Sequence, residues 1–177
     1  VAEADNDRVQ VFNSSGAFLA KWGSRGRDDG QFRSPGGIAV DASGNVYVAD
    51  TGNHRVQAFD ASGKFLTKWG SRGSDEGQFL SNRGIAVDGS GKVHVVDMRN
   101  HRVQVFSSSG EFLTKWGSEG SGDGQFRFPV GIAFDDSGNI YVTDDGNNRV
   151  QVFSSSGEFL TKWGSAGDGD LQFEFPF

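Results

Sequence analysis

The residues best equipped for chemistry in this sequence recur in sets. Asp50, Asn53 and Arg55 return as Asp97, Asn100 and Arg102 and again as Asp144, Asn147 and Arg149, with Glu3, Asn6 and Arg8 as a variant. A carboxylate and a guanidinium five residues apart across a tight hairpin make a charge-assisted pair. Asn suits a turn that needs a left-handed residue or a side-chain-to-backbone bond. A catalytic site needs each of its residues once, so a set repeated in every unit reads as a structural device. Asp41, Asp88 and Asp135 open the turns DASGN, DGSGK and DDSGN. Too few oxygen ligands follow them for a calcium loop, and a Gly-containing hairpin turn accounts for them.

Other chemistries are thinly provided for. The imidazoles are His54, His94 and His101. His54 and His101 share one repeat position, read as hairpin surface, and His94 stands where Tyr47 and Tyr141 stand in a strand. Zinc wants at least three converging ligands, and no partnering carboxylates accompany these histidines. There is no cysteine, which removes disulfides, thiolate metal sites and thiol nucleophiles. No G-x-S-x-G, H-E-x-x-H or phosphate-loop pattern occurs. No catalytic residue, metal or cofactor is expected.

Residues that vary between equivalent positions carry more information. Arg25, Arg72, Glu119 and Ala166 are equivalent, as are Arg27, Ser74, Ser121 and Asp168, and Arg33, Leu80, Arg127 and Glu174. Variation over a constant scaffold is what a binding surface looks like. The candidate binding residues are Arg25, Arg27, Arg33, Arg72, Arg83, Met98, Arg99 and Arg127. The loops 24–36, 71–83 and 118–130, with hairpins 50–54 and 97–101, are expected to share one face and line one shallow depression.

The elements that must hold these residues follow from a period. Trp22, Trp69, Trp116 and Trp163 are each 47 residues apart, and Arg8, Arg55, Arg102 and Arg149 keep the same gap. RVQVFSSSGEFLTKWGS occurs unchanged at 102–118 and 149–165. Fixed periodicity of this length marks a repeat architecture. One unit reads as four strands, near 37–41, 46–50, 55–59 and 65–70, separated by turn residues, and the pattern returns 47 and 94 residues later. Four meandering strands per unit make one blade of a β-propeller. Stacked blades cover both faces of the inner strands, which is why GIAVD and VHVVD lack polar alternation. Gly37, Ala39, Gly84, Ala86, Gly131 and Ala133 suit a crowded axis. The fold class is all-β, with antiparallel blades at 36–82, 83–129 and 130–177 and a partial blade with its connecting loop at 1–35.

Composition agrees with a globular chain. Leu, Ile, Val and Phe make 43 of the 177 residues, above the range of disordered chains. The net charge of −6 argues against a surface built to blanket nucleic acid. It is unevenly spread, net −1 over residues 1–88 and −5 over 89–177. The longest apolar run, FPVGIAF at 128–134, is too short to span a membrane.

The stretches YVADTGNHRVQAF (47–59), SGKFLTKWGSRGSDEGQF (62–79), HVVDMRNHRVQVF (94–106) and YVTDDGNNRVQVF (141–153) resemble the NHL repeat. The resemblance runs over essentially the whole chain. It implies a six-bladed propeller acting as a binding platform. The fold's relatives include lyases and lactonases, and some animal members bind RNA. Val1 aligns with Val48, and FEFPF (173–177) stops where a new first strand should start. An incomplete, open arc of about four blades is therefore expected, ahead of a closed four-bladed ring or closure by association of copies. Its missing blades would be supplied in cis or by self-association through open edges. The leading functional expectation is a non-catalytic scaffold that binds protein. Part of a lyase- or lactonase-like enzyme comes second, with its channel residues in the missing blades. RNA binding comes third, because the loop aromatics are mainly the Phe of Gly-Gln-Phe, which read as core.

Overall fold

The structure is a computed structural model in which residues 1–176 are described; of the tail FEFPF, Phe177 lies outside the described residues. The first sheet has three strands, β1 (Ala2–Glu3), β2 (Arg8–Phe12) and β3 (Phe18–Trp22). The second has β4 (Ile38–Val40), β5 (Val46–Asp50), β6 (Arg55–Phe59) and β7 (Phe65–Trp69). The third has β8 (Asn82–Val87), β9 (Val93–Asp97), β10 (Arg102–Phe106) and β11 (Phe112–Trp116). The fourth has β12 (Pro129–Phe134), β13 (Ile140–Asp144), β14 (Arg149–Phe153) and β15 (Phe159–Trp163). A short parallel pair, β16 (Ser165–Ala166) and β17 (Gln172–Phe173), follows. Each four-stranded sheet is an antiparallel meander in sequence order.

The helical content among the described residues is three single 3-10 turns, at Thr51–Asn53, Met98–Asn100 and Asp145–Asn147. Strand bounds follow the turn residues to within a residue or two. The first strands of the third and fourth sheets start earlier than the 47-residue shift predicts, at Asn82 and Pro129. Each then carries a register shift before Ile85 and Ile132. In all four sheets another shift falls at one repeat position, between Val11 and Phe12, Ala58 and Phe59, Val105 and Phe106, and Val152 and Phe153. Bulges raise the local twist, so every sheet acquires it at the same place.

Packing between sheets uses one contact three times. Trp22 lies on Phe59 with ring centroids 5.8 Å apart, Trp69 on Phe106 at 5.7 Å and Trp116 on Phe153 at 4.5 Å. The Phe of each Gly-Gln-Phe loop completes the layer: Phe32, Phe79 and Phe126 are fully buried against the same three phenylalanines. Every residue of β5, β6, β9 and β10 is buried, because a neighbouring sheet covers each face. The first strands converge on an axis. A Cβ at Gly37 would sit 2.5 Å from the Arg83 carbonyl oxygen, and one at Gly84 would sit 2.4 Å from that of Val130. Glycine is what lets neighbouring first strands approach.

Candidate functional site

The hairpin that joins the second and third strands of a sheet is built around a buried carboxylate. Asp50, fully buried, accepts hydrogen bonds from Arg55 Nε at 2.7 Å, Asn53 Nδ2 at 2.9 Å and the Arg33 backbone N–H at 2.7 Å. The other end of Arg55 grips the preceding loop. Nη1 donates to the Arg27 carbonyl at 2.8 Å, and Nη2 donates to those of Asp28 at 3.0 Å and Gln31 at 2.8 Å. Asn53 Nδ2 also reaches the Gly26 carbonyl at 2.8 Å. The arrangement recurs with Asp97, Asn100 and Arg102 on the loop after β7, and with Asp144, Asn147 and Arg149 on the loop after β11. Hairpin and interblade loop are thereby locked together on one face.

Two parts of this device escape the sequence reading. The left-handed residue is the one after Asn: His54, His101 and Asn148 have φ of 56°, 52° and 51°. Asn and His are among the residues that tolerate this region. These positions are half-buried rather than free hairpin surface, and His101 Nδ1 accepts the Phe128 N–H at 3.1 Å. The glutamines are the other part. Gln57, Gln104 and Gln151 are fully buried, and each binds the same preceding loop, Gln57 Nε2 donating to the Gln31 carbonyl at 2.7 Å. Their recurrence in every RVQ was the available signal.

The opposite turns are closed by Asp41, Asp88 and Asp135. Asp41 Oδ1 accepts the N–H groups of Ser43 and Asn45, both at 2.9 Å, and Oδ2 accepts Tyr47 Oη–H at 3.2 Å. Tyr141 does the same for Asp135 at 3.1 Å. In the third sheet His94 Nε2 takes the tyrosine's place, 3.1 Å from Asp88 Oδ2, with its ring edge-on to Phe134 at 4.9 Å. Burial lowers the His94 pKa, against the hydrogen bond and charge of Asp88.

The candidate binding residues do not share one depression. Arg27, Arg33 and Arg72 line a cavity of about 530 Å³ around Asn53, His54 and Ser71. Arg25 and Arg33 border a second, of about 280 Å³, beside Asp5 and Asp7. Arg83 stands at the axis over Gly36, Gly37, Gly84 and Gly131, at a cavity of about 230 Å³. Arg99 and Arg127 are exposed, Met98 is half-buried, and none of the three borders these cavities. The split has a physical reason: each interblade loop is pinned to its own hairpin, so the loops stand apart instead of closing over one shared depression. Among the described residues no group of three or more His, Asp or Glu stands close enough together to hold a metal ion. No helix among them is long and apolar enough to cross a membrane.

Radially stacked four-stranded meanders with their first strands at a common axis define a β-propeller. Solved structures similar to this chain include a streptogramin B lyase, with a TM-score of 0.69 and 14% identity over 92% of this chain and 49% of the lyase. The virginiamycin B lyase of Staphylococcus aureus gives a TM-score of 0.67 and 14% identity over 91% of this chain and 50% of the lyase. Hydrazine synthase from Kuenenia stuttgartiensis gives 0.61 and 18% identity over 81% and 39%. The chain spans about half the length of the lyases, as a segment of a propeller does. No functionally curated protein matches it in sequence. The NHL repeat family matches at two places in the chain, residues 32–59 and 126–153, which lie at equivalent positions of the 47-residue period.

Proposed function

We propose that the chain is a non-catalytic recognition scaffold, part of a six-bladed ring, that binds a protein partner through the loops of one face. The observation that carries this reading is the contrast between scaffold and loops. Three sheets repeat the same ion pairs and aromatic contacts. On the face where the loops lie, unpaired arginines differ from blade to blade. An unchanging frame cannot tell partners apart, whereas the loops can. Guanidinium forks suit carboxylate and phosphate groups on a partner. Exposed pairs are individually weak and screened by salt.

The test replaces Arg25, Arg72 and Arg99 together by Ala and compares capture of a nuclease-treated lysate with that by the unaltered chain. The expected result is a specific set of proteins lost in the triple variant and weakened by raised salt, with circular dichroism unchanged. Equal capture by a correctly folded variant overturns the assignment. The likeness to lyases favours a second reading, a segment of a propeller enzyme with its catalytic groups in other blades. Turnover that requires those blades and ignores the arginines would favour it.

A further inference from the structure

Three of the arginines converge in a way the rest of the array does not repeat. Arg27 and Arg33 come from the loop before the second sheet and Arg72 from the loop after it, and all three are exposed. They surround one cavity of about 530 Å³ with Asn53, His54 and Ser71, and no carboxylate lines it. Among the described residues none of the three forms an ion pair, whereas Lys68, Lys115 and Lys162 all do. The remaining guanidinium, Arg55, is fully engaged by Asp50 and three loop carbonyls. One blade further on, the equivalent positions hold Ser74, Leu80 and Glu119, and the next blade holds Ser121, Arg127 and Ala166. The constant frame therefore brings three cations to one cavity at one blade only.

A cleft of a single sign focuses its field and draws in a counter-charge. His54 registers that field. Its pKa is lowered first by burial and then by the charge of Arg72, with Arg27 adding to it, against a Leu80 backbone contact and Asp97.

We propose that the cavity between Arg27, Arg33 and Arg72 binds a phosphate monoester carried by a protein partner. A monoester carries about −1.5 to −2 charge at neutral pH with three strong acceptor oxygens, which matches three fork-shaped donors in one cavity better than a carboxylate does. RNA fits less well. Its diester charges are spread along a strand, while the cations here are confined to one blade. No Phe, Tyr or Trp lines the cavity to stack a base, and the one ring there, His54, is half-buried. The inference rests on the reading that this face is the binding face and names the chemistry it recognises.

The experiment follows the His54 ring signals by NMR in the 177-residue chain at constant ionic strength. The titrants are inorganic phosphate, a short phosphoserine peptide, its unphosphorylated twin and a single-stranded oligonucleotide. Phosphate and the phosphopeptide should give saturable shifts and raise the His54 pKa, and the unphosphorylated peptide should not. Arg27→Ala with Arg72→Ala together should weaken phosphopeptide binding about tenfold, about 1.4 kcal/mol for the two. Lys64→Ala, in a turn on the opposite face, should leave it unchanged. No saturable shift, an equal response in the double variant, or tighter binding of the oligonucleotide than of the phosphopeptide overturns the proposal. If phosphate does not bind but the Arg25, Arg72 and Arg99 variant still loses its partners, the binding face stands and the phosphate assignment falls. If phosphate binds and partner capture is unaffected by that variant, the cavity is an anion site but its assignment to a protein partner falls with the binding face.

Discussion

A repeat array exposes the role of single residues by substituting them one copy at a time, and His94 is the clearest case. It makes the bond to Asp88 that tyrosine makes in the second and fourth sheets, and it faces Phe134, whose equivalent one repeat earlier, the smaller Val87, packs against the cluster that holds Tyr47. The pair exchanges volume between its members, which cores tolerate better than a change in one alone. Because burial lowers the folded-state pKa of His94, the unfolded chain takes up a proton first as pH falls below the ordinary histidine value. Stability from neutral His94 is therefore complete above about pH 6.5 and is lost as pH falls toward the folded-state pKa. The double variant His94→Tyr with Phe134→Val copies the second sheet and removes this proton. Denaturant midpoints from pH 7 to pH 5 should show the variant gaining on the parent as pH falls, with a slope of at most about 1.4 kcal/mol per pH unit. A pH-independent difference would refute the role assigned to His94. At this scale the sequence is a partial guide. The five-residue spacing announces the Asp–Arg pairs, but nothing in it says that Arg55 also holds three carbonyls of the loop before it. The convergence of Arg27, Arg33 and Arg72 is equally hidden, since 45 positions separate the first from the last and only the stacking of blades closes that gap.

Elements were the most legible level. β-branched runs cut by Gly, Asn and Asp locate the strands because each strand is short and its turn chemistry is local. The early starts at Asn82 and Pro129 were not legible, because pairing across a bulge depends on the partner strand. Approach at the axis is the element-scale property most open to test. Gly84→Ala places a Cβ 2.4 Å from the Val130 carbonyl oxygen and 3.2 Å from Gly131 Cα, both backbone atoms that move only if β8 and β12 separate. A loss of about 1–3 kcal/mol is expected, as for other overpacked sites. Gly89, in the turn between β8 and β9, has nothing within 4 Å of where an alanine methyl would sit, and Gly89→Ala should stay within about 0.5 kcal/mol of the parent. Equal effects in urea melts would deny the close contact of first strands.

For the molecule as a whole, the propeller fold follows from the period, while the number of blades does not, because each unit contacts only its neighbours. That locality also sets how stability is distributed. Four of the five residues of β3 are exposed, whereas all of β9 and β10 are buried between sheets. Hydrogen exchange on the 177-residue chain should therefore protect β9 and β10 longest and β2 and β3 least, in contiguous steps along the array. Uniform protection would mean that the sheets unfold as one unit. The thrice-used tryptophan–phenylalanine contact has a further consequence, for how the chain reaches this state. Trp22 fits Phe59, but its face is the same shape as that of Trp69 or Trp116, so nothing in the contact itself rejects a blade from elsewhere in the order. Correct assembly is then a matter of tether length: the loop from one blade to the next brings the right neighbour first, and it succeeds only while that neighbour folds before a distant one arrives. Repeat proteins characteristically fail by such misassembly, so the near-identity that makes this scaffold regular also makes order of folding, rather than fit, the guardian of its sequence of blades.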